Sequence, residues 1–384
     1  MKVVAVARRL AISITLAAIA CCTFGLTAAS AAPTVDSTTH ITVGSSPWGM
    51  AVTPDGSRAY VANNGGNSVS VINLNTNTVL NTISFGSGDP YAVAITPDGS
   101  EVWVTEPLTG RIGVIDTSTN TYSALVGIFA TPLYVVFNSA GTYAWVSENT
   151  SNTVKKVDSS NGSVSVSIPT GVGPEGLALS PDGSRLYVAN SDGSVTVINT
   201  ATNAYATYSG IAQWATQLAV SKDGSYVFIT DNSGTGDIYV FNTLTNTLSN
   251  TITVAAVGES SAGIAVSNDG KTLYVGTGSS GTPFIAEVDI QTQTVVGQIP
   301  CSPGSTSIST RFGSSTIYST SVSTNLVDVI TFFPEPTPAP SPDPALASTG
   351  AGTQQLVTSA ILLIVLGVGT LAFTRKAKRH GFIS

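Results

Sequence analysis

Two sets of side chains in this chain have the types and spacing to do chemistry. The first recurs at one place in a repeating pattern: Asn63, Glu106, Glu148, Asn190, Asp231, Thr277 and Ser321. The second lies a short way ahead of several of these: Trp48, Tyr91, Glu175, Trp214 and Gln217. Carboxylates, amides and exposed aromatics on one rim suit a saccharide, a peptide or a cation. The arc Glu106, Glu148, Asn190 and Asp231, with Trp48, Tyr91 and Trp214, is therefore the expected binding site, with Ca²⁺ as its candidate ion. Like charges at neighbouring positions cost stability unless solvent or a cation screens them. The Asn at the equivalent position 63 shows that packing does not require an acid there. The rival reading has these side chains capping turns through local backbone bonds.

What the chain lacks narrows the chemistry. It holds two histidines; His380 is in the last five residues and His40 precedes the first strand of the repeat. No histidine cluster can hold copper or zinc, and no Ser-His-Asp triad is expected within the repeats. Cys-x-x-Cys-His is absent. Gly65-Gly66 leads from strand to strand rather than into a helix, so it reads as turn chemistry. Lys and Arg number 15 in 384 residues, too few for a nucleic-acid surface.

The elements that must position these residues come from an internal repeat. A turn glycine recurs at Gly56, Gly99, Gly141, Gly183, Gly224, Gly270 and Gly313, 41 to 46 residues apart. The turn reads Thr-Pro-Asp-Gly-Ser at Thr53 and Thr96, and Ser-Pro-Asp-Gly-Ser at Ser180. Pro presets φ, Asp bonds the backbone ahead, and Gly accepts positive φ. Four residues on comes an aromatic: Tyr60, Trp103, Trp145, Tyr187, Phe228 and Tyr274, with Tyr318 one residue later in the last copy. Rings so placed fill the space between packed sheets. Alternating strands follow, as at Ser68 to Asn73 and Thr78 to Phe85.

The period predicts an all-β chain: a seven-bladed β-propeller of four-stranded blades over 38–333. The last blade supplies only three strands before Pro334 and Pro336 forbid a fourth. Thr39-His40-Ile41-Thr42-Val43-Gly44 matches the fourth-strand pattern of Ile83 to Gly86. The N-terminal strand is therefore expected to complete the last blade, paired with the strand through Val329. That arrangement removes two open sheet edges.

Tyr60-Val61-Ala62-Asn63, Tyr187-Val188-Ala189-Asn190 and Val102-Trp103-Val104-Thr105-Glu106 resemble the signature of the YVTN-type β-propeller repeat. The Ser-Val-x-Val-Ile-Asn/Asp-Thr element matches in whole or part at Val69, Val114 and Val195. The resemblance covers nearly all of 41–333. It implies seven blades and an exported or surface protein; the fold is similar as well to a seven-bladed lactonase group.

The chain ends address the protein. Residues 1–31 carry Lys2, Arg8-Arg9, an apolar run from Leu10 to Ala20, and Ala29-Ser30-Ala31, which read as a secretory signal peptide cleaved after Ala31. Ala18-Ile19-Ala20-Cys21 is the rival lipoprotein reading. Cys21 and Cys22 leave with the leader, so Cys301 has no intrachain partner and reads as a small buried hydrophobe. Residues 334–345 are a Pro-rich stalk in extended polyproline II. Leu346-Ala347-Ser348-Thr349-Gly350, the apolar run 356–373 and the basic tail 374–384 then follow. The run is long enough for one transmembrane helix, with the tail cytoplasmic. The three parts together resemble the cell-wall sorting signal of Gram-positive surface proteins, in its Leu-Ala-x-Thr-Gly variant. The resemblance implies a sortase that cuts between Thr349 and Gly350 and joins Thr349 to peptidoglycan. Three of the 15 basic residues go with the leader and four with the tail. The remaining 8 stand against 22 acids, leaving the exported part near −14.

Three functions fit: a wall-anchored surface propeller that binds or adheres through a glycan, peptide or protein ligand; an exported lactonase-like hydrolase using rim carboxylates and a divalent cation; or a purely structural wall component.

Overall fold

The computed structural model describes residues 34–124, 129–256, 261–278 and 282–333. The leader 1–31, the stalk, the pentapeptide 346–350 with Thr349 and Gly350, the apolar run and the basic tail lie outside the described residues. Among those described, no helix is long and apolar enough to cross a membrane.

The described chain forms seven four-stranded antiparallel sheets, the blades of a propeller. In blade 1 the strands are Pro47–Val52, Arg58–Asn63, Ser68–Asn73 and Thr78–Ser84. The first strands of neighbouring blades touch in unbroken succession, from blade 1 round to blade 7 and back, and line the centre. The second strands are almost wholly buried, as at Arg58–Asn63 and Arg185–Asn190. The fourth strands are largely exposed; in blades 1, 3, 5 and 6 one Ile near the end is buried, at Ile83, Ile168, Ile252 and Ile299.

The turn that starts each repeat behaves as its residues dictate. Thr53 Oγ1 and the Ser57 amide both donate to Asp55 Oδ1, at 2.6 and 3.0 Å. Gly56 takes φ 68° and donates to the Thr53 carbonyl. The hydroxyl and amide bonds hold the Asp55 carboxyl down at about 2. The same clasp recurs at Asp98, Asp182, Asp223 and Asp269.

The apolar core of the described residues is divided into seven clusters, one at each seam between blades. Tyr60 packs on Val102, Val104 and Ile115 of blade 2, and Tyr318 of blade 7 packs on Met50, Ala59 and Val61 of blade 1. All seven repeat aromatics are buried, the least so at 4% exposure. Each ring thus cements a seam, as the repeat predicts. Cations strap several seams at the turn face: Arg58 Nη1 reaches the Thr117 carbonyl at 2.8 Å, Arg185 Nη1 that of Thr243 at 2.8 Å, and Arg311 Nη1 that of Leu74 at 3.0 Å.

Closure follows the expected route. Val35–Thr42 is the outer strand of blade 7, antiparallel to Leu326–Phe332, with Thr39 opposite Val329 and His40 opposite Asp328. Ile41 is buried at 4% exposure, in the place of the fourth-strand Ile of other blades. His40 Nδ1 lies 2.8 Å from Asp328 Oδ1, and the fully buried Asp328 also accepts from the Ser302 amide and hydroxyl, at 2.6 and 2.7 Å. This brings a Ser, a His and an Asp together, yet the Ser hydroxyl bonds the Asp rather than the His. The arrangement serves as a latch; it lacks the Ser-to-His bond that would activate a nucleophile.

Candidate functional site

In an antiparallel blade, the start of strand one and the end of strand two share a face, so both residue sets lie on the face opposite the Pro-Asp-Gly turns. The two sets then part ways. The strand-two ends Asn63, Glu106, Glu148, Asn190, Asp231, Thr277 and Ser321 are all buried, at 0 to 1% exposure. The bonds they make are close to their own blades, although the Asn63 and Asn190 side-chain oxygens are buried without a partner. Glu106 accepts from Tyr122 OH at 2.8 Å and Thr109 Oγ1 at 2.9 Å. Glu148 accepts from Lys155 Nζ at 2.7 Å, the Ala130 amide at 2.8 Å, and the Ser151 and Thr153 hydroxyls at 2.9 Å. Burial pushes the Glu148 carboxyl up, but Lys155 and these bonds outweigh it and hold it below the usual carboxylate range. Asp231 accepts from the amides of Gln213, Trp214 and Ser233. Asn190 donates to Ser194 and Thr196 hydroxyls, and Asn63 to those of Ser68 and Ser70. Among the described residues, no three of His, Cys, Asp and Glu gather where a metal ion could sit. This geometry matches turn capping.

The aromatic set is brought together. The first strands of blades 1, 3, 4 and 5 start with a bulge that sets two residues against one: Trp48-Gly49, Leu133-Tyr134, Glu175-Gly176 and Thr216-Gln217. A bulge at such a place re-aims side chains. Gly49 is needed for the approach to blade 2, since a Cβ there would lie 2.7 Å from the Tyr91 carbonyl oxygen, to which its own amide donates. The rings of Trp48 and Tyr91 stand 5.1 Å apart at 30°, and Tyr134 meets Tyr91 edge-on at 5.8 Å. Trp214 Nε1 donates to Glu175 Oε1 at 3.2 Å, and Ser191 Oγ donates to the same oxygen at 2.8 Å. Gln217 Nε2 reaches past blade 6 to the Thr306 carbonyl of blade 7, at 2.8 Å.

The electrostatics tie these groups into one arc. Burial raises the Glu175 carboxyl above its usual range, against the Ser191 and Trp214 bonds. The Tyr91 and Tyr134 hydroxyls are raised first by burial, and the negative charge of Glu175 adds to both. Both phenols therefore stay protonated donors. Trp48 Nε1 is buried and close enough to lower both, yet it makes no hydrogen bond of its own.

Of the residues singled out from sequence, Trp48, Tyr91, Glu175 and Trp214 meet in this arc; Glu106, Glu148 and Asn190 do not, and Asp231 reaches it only through the Trp214 amide. Tyr134 was missed. It stands one residue later in its repeat than Trp48, Tyr91 and Glu175, where other blades have Gly49, Ala92, Gly176 or Gly263. Aligning Pro132 with Pro47, Pro90 and Pro174, and reading two residues on, would have found it. A cavity of about 390 Å³ lies elsewhere, at the turn face between blades 4 and 5, lined by Asp182, Arg185 and Asp223. Its charged groups are committed: the aspartates to their own turns, Arg185 to Thr243.

A family profile described as "Lactonase, 7-bladed beta-propeller" matches residues 156–299. None of the curated proteins matches the chain. Among solved structures, a chain of Kuenenia stuttgartiensis hydrazine synthase is similar with a TM-score of 0.66 and 20% identity, covering 74% of this chain and 95% of that one. The likeness is one of fold: an all-β, seven-bladed propeller with a lactonase-type match across part of the ring.

Proposed function

We propose that this chain is an exported, wall-anchored surface propeller that binds a ligand on the strand-start face of its ring. The observation that carries the reading is the arc Trp48, Tyr91, Tyr134, Glu175 and Trp214. Trp48, Tyr91 and Glu175 share one repeat position, filled in other blades by Leu133, Thr216, Ala262 or Thr306, with Tyr134 one residue later and Trp214 two residues earlier in their own repeats. The fold is satisfied without them, and Trp214 is 43% exposed. Large rings with convergent polar groups at a ring's centre suit recognition. The leader, the stalk, the pentapeptide and the apolar run with its basic tail support export and sortase attachment to peptidoglycan, and the YVTN-like repeats support a surface address.

The test is binding of the mature chain, residues 32–349, to wall fragments, glycans and peptides, followed by tryptophan fluorescence and calorimetry. Trp214→Ala is expected to weaken binding at least about tenfold, since truncating such an anchor ordinarily costs above 1 kcal/mol. Binding that survives Trp214→Ala and Trp48→Ala together would place the ligand elsewhere. A second reading, a lactonase-like hydrolase, is favoured by the profile match over 156–299. Turnover of a lactone by the mature chain, lost on adding a chelator, would select it.

A further inference from the structure

We propose that the arc is a receptor for an organic cation, an alkylated ammonium group held over Trp48, Tyr91, Tyr134 and Trp214 against the Glu175 carboxylate. This rests on the binding reading above and names its ligand class.

Three observations lead there. First, three electron-rich rings pack along the ring's inner wall, Glu175 of the next blade acts on two of them with its charge, and the fourth ring, Trp214, is bonded to Glu175. A poorly hydrated cation is attracted by the negative faces of such rings, best by Trp and Tyr. Second, among the described residues Glu175 has no basic partner. Its two hydrogen bonds, from Ser191 and Trp214, both land on Oε1, which leaves Oε2 without a donor among the described residues. The charges that act on the Tyr91 hydroxyl are Glu175 and Asp89, both negative. A half-buried carboxylate with neutral donors and no counter-ion has a vacancy for positive charge. Third, the exported part is acidic overall, so its field favours the approach of cations.

Other occupants fit less well. Ca²⁺ takes six to eight oxygen ligands, and this arc offers one carboxylate among rings. A neutral sugar would leave the Glu175 charge unmatched. An anion would meet Glu175 with no Lys or Arg bonded to it.

The probe is tetramethylammonium, titrated calorimetrically and by tryptophan fluorescence into the mature chain. Choline and an N-trimethyl-lysine peptide serve as the two natural sources of the group. 3,3-Dimethylbutanol is the neutral control of choline's shape, and CaCl₂ and neutral wall glycans are separate arms. Tetramethylammonium is expected to bind and to quench fluorescence. The neutral control is expected to bind about tenfold or more weaker than choline, as a desolvated cation–π contact predicts. Glu175→Gln keeps an oxygen for Ser191 and Trp214 and should weaken choline about tenfold while leaving the melting temperature within about 2 °C. Trp214→Ala, at a half-exposed site that tolerates truncation, should weaken choline similarly. Equal binding of choline and its neutral control overturns the inference, as does an unchanged affinity in Glu175→Gln. Glycan binding lost in Trp214→Ala, with no response to any ammonium probe, refutes the cation and keeps the binding module. No response in any arm refutes both.

Discussion

Glu287 stands where the fold wants a hydrocarbon. It faces Tyr274 from the third strand of blade 6, and the equivalent residues opposite the repeat aromatic are Val71, Val114, Val197, Val240 and Val329. Blade 3 has Lys156 there and solves the problem. Its ammonium lies 4.5 Å from the Tyr143 ring centre and 5.5 Å from that of Trp145, and bonds the Thr200 carbonyl. Glu287 is 3% exposed, its Oε1 has no partner, and burial raises its carboxyl to about 7 from the ordinary 4.5. A raised folded pKa means that the protonated form is the one the fold favours. The contribution is present in full below pH 4.5 and is lost as pH rises through about 7. Urea denaturation should therefore show this part of the stability falling between pH 5 and pH 8. Glu287→Val should remove that slope and add about 1–3 kcal/mol at pH 8. A Val variant no more stable than wild type at pH 8 would show that the carboxylate finds compensation in solution.

At the scale of the element, the N-terminal strand decides whether the ring is closed. Val35–Thr42 has one buried apolar side chain besides its backbone ladder, so its hold depends on pairing and on the Asp328 latch. Asp328 is fully buried, and its two oxygens take three contacts, one from His40 and two from Ser302. Asp328→Ala leaves the Ser302 amide and hydroxyl unpaired and is expected to cost about 1–3 kcal/mol. Deleting residues up to Ser46 should cost more, because it bares Leu326–Phe332 as an unpaired edge open to another chain. Denaturant midpoints and size exclusion would check both. A shortened chain that stays monomeric, with an unchanged midpoint, would mean that blade 7 is complete with three strands.

At the scale of the molecule, stability is spread over seven seams rather than held in one core. The wall attachment proposed above is tested on the cell wall itself. Muramidase digestion of walls, followed by mass spectrometry, should release a chain that ends at Thr349 joined to a wall peptide. Detergent extraction of intact chain still carrying 351–384 would instead make the apolar run a plain membrane anchor.

The sequence by itself determined the repeat, the blade count, the seam aromatics and the closing strand. These are written in local chemistry: Thr53, Asp55 and Gly56 build the turn whatever surrounds it, and Ile41 announces a fourth strand because Ile83 does. Repeat register also showed that Trp48, Tyr91 and Glu175 are equivalent. It could not show which way a side chain at a given register points relative to the ring's centre. Glu106 and Glu148 end second strands, one layer out, so they turn into their own hairpins and meet Tyr122 and Lys155. Trp48, Tyr134 and Glu175 sit on first-strand bulges, which re-aim them, and residues 43 apart in sequence come within ring-stacking distance. Only the packing of one blade on the next brings Trp214 to Glu175, because that contact depends on the angle between neighbouring blades, which no single repeat encodes.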